Sequence, residues 1–138
     1  MPTRLPAEVR QFLEEGRLFA VVATINADGT PQQTVVWYAL RGDELMMNTA
    51  RGRVKDRNLR RDPRLSITVT REDGYRWVAI RGVARLVDDH ATSQADIYAL
   101  AVHYDGQEEA DRAMREQFSR EQRVSIYVPI ERFTTYGF

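Results

Sequence analysis

The chain has 138 residues, of which 43% are hydrophobic and 29% charged, and its 20 basic residues balance its 20 acidic ones. That length and composition are typical of one globular domain spanning residues 1–138. The absence of cysteine excludes disulfides, a thiol redox centre, a cysteine nucleophile and thiolate-bound zinc or iron–sulfur clusters. His90 and His103 match no metal-ligand spacing, so we expect no metal site.

The hydrophobic runs are short. None approaches the roughly 20 apolar residues that a membrane-spanning helix needs. Residues 1–10 contain two prolines and several charges where a signal peptide would carry an apolar stretch. We therefore expect a soluble, cytoplasmic protein.

The first part of the chain predicts one helix and three strands. Val9, Phe12 and Leu13 recur at helical spacing before Gly16, which predicts a short helix within residues 5–16. Three runs typical of strands follow, at residues 18–26, 32–40 and 44–49. The Asp28-Gly29 pair between the first two favours a tight hairpin turn, so we expect a three-stranded meander.

The remainder alternates helices and strands without a βαβ repeat. Residues 53–61 favour a helix that ends at Asp62-Pro63, because proline cannot continue a helix. The patterns predict strands at 65–70, 75–87 and 123–130, and helices at 91–104 and 108–119. The whole pattern indicates a mainly β fold of the α+β class, an antiparallel barrel or sheet with three or four short helices.

Charge is unevenly distributed along the chain. Residues 51–64 contain seven basic and two acidic residues, a net charge of +5, whereas residues 88–121 carry −6. The only lysine of the chain, Lys55, lies within the basic segment. The chain therefore places one cationic patch against a compensating acidic region.

The cationic patch coincides with the predicted start of a helix. The first N–H groups of a helix lack internal partners and carry partial positive charge, so they favour an anion. Arg51, Arg53 and Lys55 surround that first turn and repel one another. Two interpretations remain open: a phosphate or carboxylate binds there, or the patch is a solvated face paired with the acidic helices. Arg57, Arg60 and Arg61 are expected to form salt bridges or face solvent.

Residues 55–64, KDRNLRRDPR, carry a family resemblance. Lys55 followed by Asp62-Pro63, after a strand and an aliphatic hairpin, resembles the pyridoxamine 5′-phosphate oxidase-like, FMN-binding split barrels. The whole segment is still more similar to the branch that uses the deazaflavin coenzyme F420. The resemblance implies a six-stranded antiparallel split β-barrel that forms a homodimer. A small barrel also cannot bury all of its large apolar side chains, such as Trp37, Trp77 and Phe138.

The same resemblance implies a coenzyme site. Arg53 and Lys55 would hold the coenzyme's phosphate, with Arg51 beside them. Trp77 and Val78 would wall the pocket, in this family often from the second subunit. The residues that would line the flavin-like ring lie on the second strand and at the end of the third: Gln32, Thr34, Val36, Thr49 and Ala50.

Two departures from the oxidase branch affect the predicted function. That branch has an arginine on the second strand for the FMN phosphate, where this chain has Gln32, Gln33 and Thr34. It also has an arginine and a histidine near the C-terminus that bind its vitamin substrate, and residues 129–138 contain no histidine. We therefore do not expect pyridoxamine phosphate oxidation, and we favour F420 over FMN.

The function implied is that of an F420-dependent oxidoreductase, a reductase that transfers a hydride to an unsaturated or conjugated small organic substrate. Such a coenzyme performs the hydride transfer itself, and no nucleophile–base motif is present, so the catalytic residues stay unassigned. The candidate proton donors are tyrosines: Tyr38, Tyr98, Tyr127 and Tyr136. The alternatives are an FMN-binding split-barrel protein, with or without turnover, and a nucleic-acid module, which zero net charge and the lack of a second basic stripe disfavour.

Overall fold

Four α-helices and nine strands make up residues 5–138, the part of the chain that the computed structural model describes. The helices are α1 (Ala7–Glu14), α2 (Val54–Arg61), α3 (His90–Asp105) and α4 (Gln107–Glu116), followed by a 3₁₀ turn at Phe118–Arg120. The strands are β1 (Ala20–Ile25), β2 (Pro31–Val36), β3 (Ala39–Arg41), β4 (Glu44–Ala50), β5 (Arg64–Thr70), β6 (Trp77–Val83), β7 (Arg85–Val87), β8 (Arg123–Pro129) and β9 (Arg132–Tyr136). None of these helices is long and apolar enough to cross a membrane.

The strands form two antiparallel sheets. One sheet has five strands in the order β2-β1-β5-β6-β9, and the other has four in the order β3-β4-β8-β7. Consecutive strands β1 and β2 pair from Ala20 with Val36 to Ile25 with Pro31, as the Asp28-Gly29 turn predicts. The predicted mainly β fold with short helices is therefore confirmed.

The predicted six-stranded split barrel is not confirmed, because residues 5–138 form nine strands in two sheets that do not close into one barrel. The run predicted at 32–40 is broken at Trp37-Tyr38, and the run predicted at 75–87 is broken at Ala84. The C-terminal segment adds β9 after Ile130. At each of these three points the chain leaves one sheet and enters the other, so a break in one predicted strand becomes a corner of the fold.

The two sheets approach closely at the corner next to Ala84. A Cβ atom built on Gly82 would lie 2.7 Å from Cγ1 of Val128, on the opposite sheet. The Ala84 N–H donates to the Pro63 carbonyl at 2.8 Å, which ties the corner to the start of β5. Glycine at position 82 therefore permits the close contact between the sheets.

Two apolar clusters hold the elements together. The first lies between the sheets and under α1, and its fully buried members include Phe12, Val22, Leu45, Met47, Ile80, Ile126 and Val128. The second lies between the four-stranded sheet and α3 and α4, and it is built from Met46, Ile97, Leu100, Ala101, Tyr104, Ala110 and Phe118. Strand β4 contributes to both clusters because alternate side chains point to opposite faces. The four-stranded sheet is thus covered on both sides.

A buried carboxylate fastens α3 to the four-stranded sheet. Asp96 is 3% exposed and accepts hydrogen bonds from Ser125 Oγ at 2.6 Å, the Tyr127 hydroxyl and the Arg41 guanidinium. Burial works to raise the pKa of Asp96, but these hydrogen bonds and the Arg41 charge outweigh it and hold the pKa below its usual value. A carboxyl with a lowered pKa stabilises the fold above its unfolded-state pKa, and that contribution is lost as the pH falls through the folded-state pKa.

Replacing Asp96 by asparagine should therefore destabilise the protein in a pH-dependent way. We expect Asp96→Asn to lower the free energy of unfolding at pH 7 by about 1.5 to 3 kcal/mol, because three donors lose a charged acceptor. The difference from the wild type should shrink as the pH falls below about 4, where the unfolded chain binds the proton first and the folded carboxyl follows at its lower pKa. Urea unfolding at both pH values measures this. The exposed control Asp105→Asn should change stability by less than about 0.5 kcal/mol, and equal losses in both variants would contradict the assignment.

Candidate coenzyme cleft

A cleft of about 870 Å³ opens where the two sheets separate, between β2, the ends of β4 and β8, α2 and α3. One wall is cationic and another is apolar. Six of the residues predicted for the coenzyme site line it: Gln32, Thr34, Val36, Thr49, Arg53 and Lys55.

The floor of the cleft is the inward face of edge strand β2. Gln32, Thr34 and Val36 alternate with exposed residues, so all three point to the same side. The Gln32 amide oxygen accepts from Thr24 Oγ1 at 3.3 Å, and Asn58 of α2 donates to that same Thr24 oxygen at 3.0 Å. The Thr34 hydroxyl is buried and has no hydrogen-bond partner within the described residues. An orphaned polar group of this kind is costly unless a ligand satisfies it.

The turn that leads into α2 depends on a glycine and a buried carboxylate. Gly52 has φ +89°, a conformation that other residues rarely adopt. Its N–H donates at 2.8 Å to Asp56, which is 2% exposed and also accepts from Arg60 Nε at 2.8 Å. Asp56 thereby provides a hydrogen-bond acceptor for the Gly52 N–H. It also places a negative charge in the first turn of the helix, where such a charge is favourable.

The basic residues of the patch divide into paired and unpaired groups. Arg51 lies 3.2 Å from Asp88, and Arg60 lies 2.6 Å from the same carboxylate. Arg53 pairs with Glu121 at 3.0 Å. Lys55 forms no salt bridge with any described residue. Arg57 and Arg61, both exposed, donate to neutral oxygens instead. The interpretation of a solvated basic face paired with acidic groups thus holds for much of the patch but leaves the half-buried Lys55 unexplained.

Lys55 is surrounded by positive charge. Burial lowers the pKa of its ammonium group, and the nearby charges of Arg53 and Arg123 lower it further. Arg123 is 4% exposed and lines the same cleft. Three cations at this end of the cleft therefore have one carboxylate, Glu121, as their counter-charge.

The other end of the cleft is aromatic and apolar. Trp37 stacks on Tyr104 with ring centroids 5.3 Å apart, and Phe19 lies 5.3 Å from the same ring. Ile97 and Leu100 of α3 complete this wall. A ligand with an anionic group and a flat apolar body would match both ends.

Four of the predicted site residues do not line the cleft. Ala50 is buried behind the turn, and Arg51 points to Asp88. Val78 is completely buried in the core between the sheets, and its side chain does not line the cleft. Trp77 lies on the outer face of the five-stranded sheet and stacks on Tyr136 at 5.8 Å. Because neighbours on a strand face opposite ways, these two side chains point away from each other within one chain. A contribution of Trp77 and Val78 from a second subunit stays a prediction.

Sequence reasoning missed several lining residues, above all Asn48, Phe118 and Arg123. Arg123 begins β8 and pairs in register with Ala50 at the end of β4. No local pattern signals a strand pairing over that sequence distance. Asn48 directly precedes Thr49, which was predicted at the site, and this neighbouring position was the nearest signal that the sequence offered.

The fold matches known proteins. A family model described as pyridoxamine 5′-phosphate oxidase matches residues 5–132. A solved structure described as an F420 reductase is 31% identical, covers 90% of this chain and 94% of its own, and superposes with a TM-score of 0.72. A conserved hypothetical protein from Mycobacterium tuberculosis is 28% identical, with coverages of 98% and 86% and a TM-score of 0.78.

More distant structures share the fold alone. The heme storage protein HutZ from Vibrio cholerae is 19% identical to the chain, with coverages of 99% and 97% and a TM-score of 0.72. At that identity the likeness concerns architecture and carries no ligand across.

The lowered pKa of Lys55 predicts that this lysine does not stabilise the ligand-free fold. Lys55→Met should leave the free energy of unfolding at pH 7 unchanged or raise it, by less than about 1 kcal/mol for a half-buried charge. The folded-state pKa of Lys55 lies below the ordinary 10.5. Between these two pKa values the unfolded chain binds more protons than the folded chain, so wild-type stability should rise with pH over that range.

Denaturant unfolding of Lys55→Met at pH 7 and in that alkaline interval measures both effects, since the variant lacks this rise. Arg115→Met, on the exposed side of α4, removes one charge elsewhere and should show no such pH-dependent difference. A loss above about 1 kcal/mol in Lys55→Met at pH 7 would mean that the lysine is structural.

Proposed function

The chain belongs to the pyridoxamine 5′-phosphate oxidase family, and from that premise we propose that it is an oxidoreductase that binds the deazaflavin coenzyme F420 in this cleft. The proposed reaction is reduction of an unsaturated or conjugated small organic substrate. The observation that carries the proposal is Lys55, a half-buried cation without a counter-ion at one end of a cleft with an apolar wall. Similarity over 90% of the chain to a protein described as an F420 reductase supports the choice of coenzyme.

The residues present fit such a coenzyme. Lys55 and Arg53 would hold its phosphate, because both are cations at the start of α2. The orphaned Thr34 hydroxyl and the Gln32 amide would hydrogen-bond polar atoms of the ring. When bound, the coenzyme supplies the hydride, as flavins and deazaflavins do.

The chain's own contribution is binding, orientation and exclusion of water. None of the four candidate proton-donating tyrosines lines the cleft. Three of their hydroxyls donate instead to protein oxygens, Tyr38 to Leu13 O, Tyr98 to Asp111 and Tyr127 to Asp96. The apolar wall around Ile97 and Leu100 would keep water from the ring, and a substrate would lie between that wall and the coenzyme.

Comparative titration tests the coenzyme assignment. F420 carries a phosphorylated tail with carboxylates and offers more negative charge to this cleft than the single phosphate of FMN. We therefore expect F420 to bind more tightly than FMN in fluorescence titrations of the purified protein. Equal or reversed affinities would support the alternative, an FMN-binding protein.

The same titration with Lys55→Met ties the affinity to the proposed contact. Losing a charge-assisted hydrogen bond costs about 1.5 to 3 kcal/mol, so F420 binding should weaken by roughly 10- to 150-fold. Arg115→Met removes one positive charge from an exposed residue that does not line the cleft, and this variant should bind F420 as the wild type does. Similar losses in both variants would mean that Lys55 acts only through long-range electrostatic attraction and makes no specific contact with the coenzyme.

We also propose that the chain forms a homodimer through the outer face of the five-stranded sheet. Val35, Val83 and Tyr136 are 67%, 57% and 56% exposed on that face. A groove of about 720 Å³, lined in part by Val83, opens at one end of the same sheet. Exposed apolar surface of this kind is typical of interfaces. Of the side chains first expected to favour dimerisation, Trp37 is instead partly covered by Tyr104 within the chain. Phe138 packs edge-on against Phe12 but stays 39% exposed.

Light scattering at micromolar concentration should give a species of twice the 16.0 kDa protomer mass. Val83→Glu, which places a charge on the proposed interface, should shift the population toward monomer. Ala95→Glu, on the exposed side of α3, is the matched control and should not. A wild-type protein found only as a 16.0 kDa species would rule out the dimer.

A further inference from the structure

Arg123 is the most deeply buried cation of the cleft, and neither the sequence pattern nor the family resemblance assigned it a role. It is the first residue of β8 and lies opposite Ala50 at the end of β4. Arg123 is only 4% exposed, although it contributes to the cleft wall. Burying a guanidinium is unfavourable unless its donors are satisfied.

Two protein groups fix the orientation of this guanidinium. Nε donates to Asn48 Oδ1 at 2.9 Å, and Nη1 donates to Glu121 Oε1 at 2.9 Å. The Phe118 ring lies under the guanidinium, 5.1 Å from its carbon to the ring centroid. The third nitrogen, Nη2, has no hydrogen-bond partner within residues 5–138. The side chain is thus held at two nitrogens while the third remains available.

The surrounding charge is not balanced by the protein. Glu121 is shared, since its Oε2 accepts from Arg53 at 3.0 Å while its Oε1 accepts from Arg123. Lys55, which responds electrostatically to both arginines, has no carboxylate of its own. Three cations against one carboxylate leave an excess of two positive charges, so a ligand with two or more negative charges would balance the cluster.

We propose that Arg123 is a coenzyme-contacting residue that forms, with Lys55, a two-point site for the anionic tail, so that the cleft selects ligands carrying at least two negative charges. Asn48 and Glu121 act as positioning residues, because they hold the guanidinium with Nη2 free. The inference rests on the proposed function only for the identity of the coenzyme. The contact itself is a property of phosphate- or carboxylate-bearing ligands in general.

The test compares ligands that differ only in their tails. The probes are F420 and its phosphate-free deazaflavin riboside, and FMN and riboflavin, each titrated by fluorescence into wild type and Arg123→Gln. We expect Arg123→Gln to weaken F420 by about 10- to 150-fold, the loss of one charge-assisted hydrogen bond, and to leave the phosphate-free riboside unchanged. Arg120→Gln, an exposed arginine three residues away, is the control and should change neither ligand by more than about twofold.

The structural alternative predicts a different result. If Arg123 only supports the fold, Arg123→Gln will weaken charged and uncharged ligands by the same factor, or neither, and the proposal is overturned. If that variant does not fold, Arg123→Lys decides, because lysine keeps the charge but cannot reach Asn48, Glu121 and a ligand together. A selective loss of F420 relative to its riboside supports the proposal, and equal losses overturn it.

Failure of the coenzyme assignment would look different again. A wild-type protein that prefers FMN to F420 would refute the proposed function. The ratio of riboflavin to FMN affinity in Arg123→Gln would still report whether Arg123 contacts the phosphate, so the two failures are separable.

Discussion

The cleft depends on the hydrogen bonds that the buried carboxylate of Asp56 accepts. It accepts one hydrogen bond from the Gly52 N–H and one from Arg60, and so joins the turn after β4 to the body of α2. A buried carboxylate without these donors would be strongly unfavourable, so turn and helix form together. The negative charge of Asp56 in the first turn of α2 allows basic side chains to lie at the same end of the helix. Lys55, the preceding residue, is then held in the cleft wall while Asp56 is buried.

The cleft itself results from how the chain moves between two sheets. Strand β2 ends the five-stranded sheet, whereas β4 and β8 belong to the four-stranded sheet, and the space between them is covered by neither. Helix α3, anchored through Asp96 to Ser125, closes the far side with an apolar wall. The polar floor, cationic end and apolar wall therefore come from three different units of the fold, each stabilised by its own contacts.

What the sequence could predict follows from how far apart the interacting residues lie. The segment from Gly52 to Pro63 was readable because helix starts and stops are local signals. Gln32 and Thr34 came from the family resemblance, and the structure places them on one face of β2. The corner at Trp37-Tyr38 was not readable, because residues 35–40 form one apolar run without a turn residue. Arg123 was missed because its position is set by pairing with Ala50. The pair Trp77 and Val78 came from resemblance alone, and strand geometry places them on opposite faces.

A crystal structure of the protein with F420 would test the central claim most directly. The account predicts that the coenzyme's phosphate contacts Lys55, that the deazaflavin ring lies on the β2 face, and that the Thr34 hydroxyl gains its missing hydrogen bond. A coenzyme found elsewhere on the protein, with Lys55 facing solvent and Thr34 still without a partner, would contradict it.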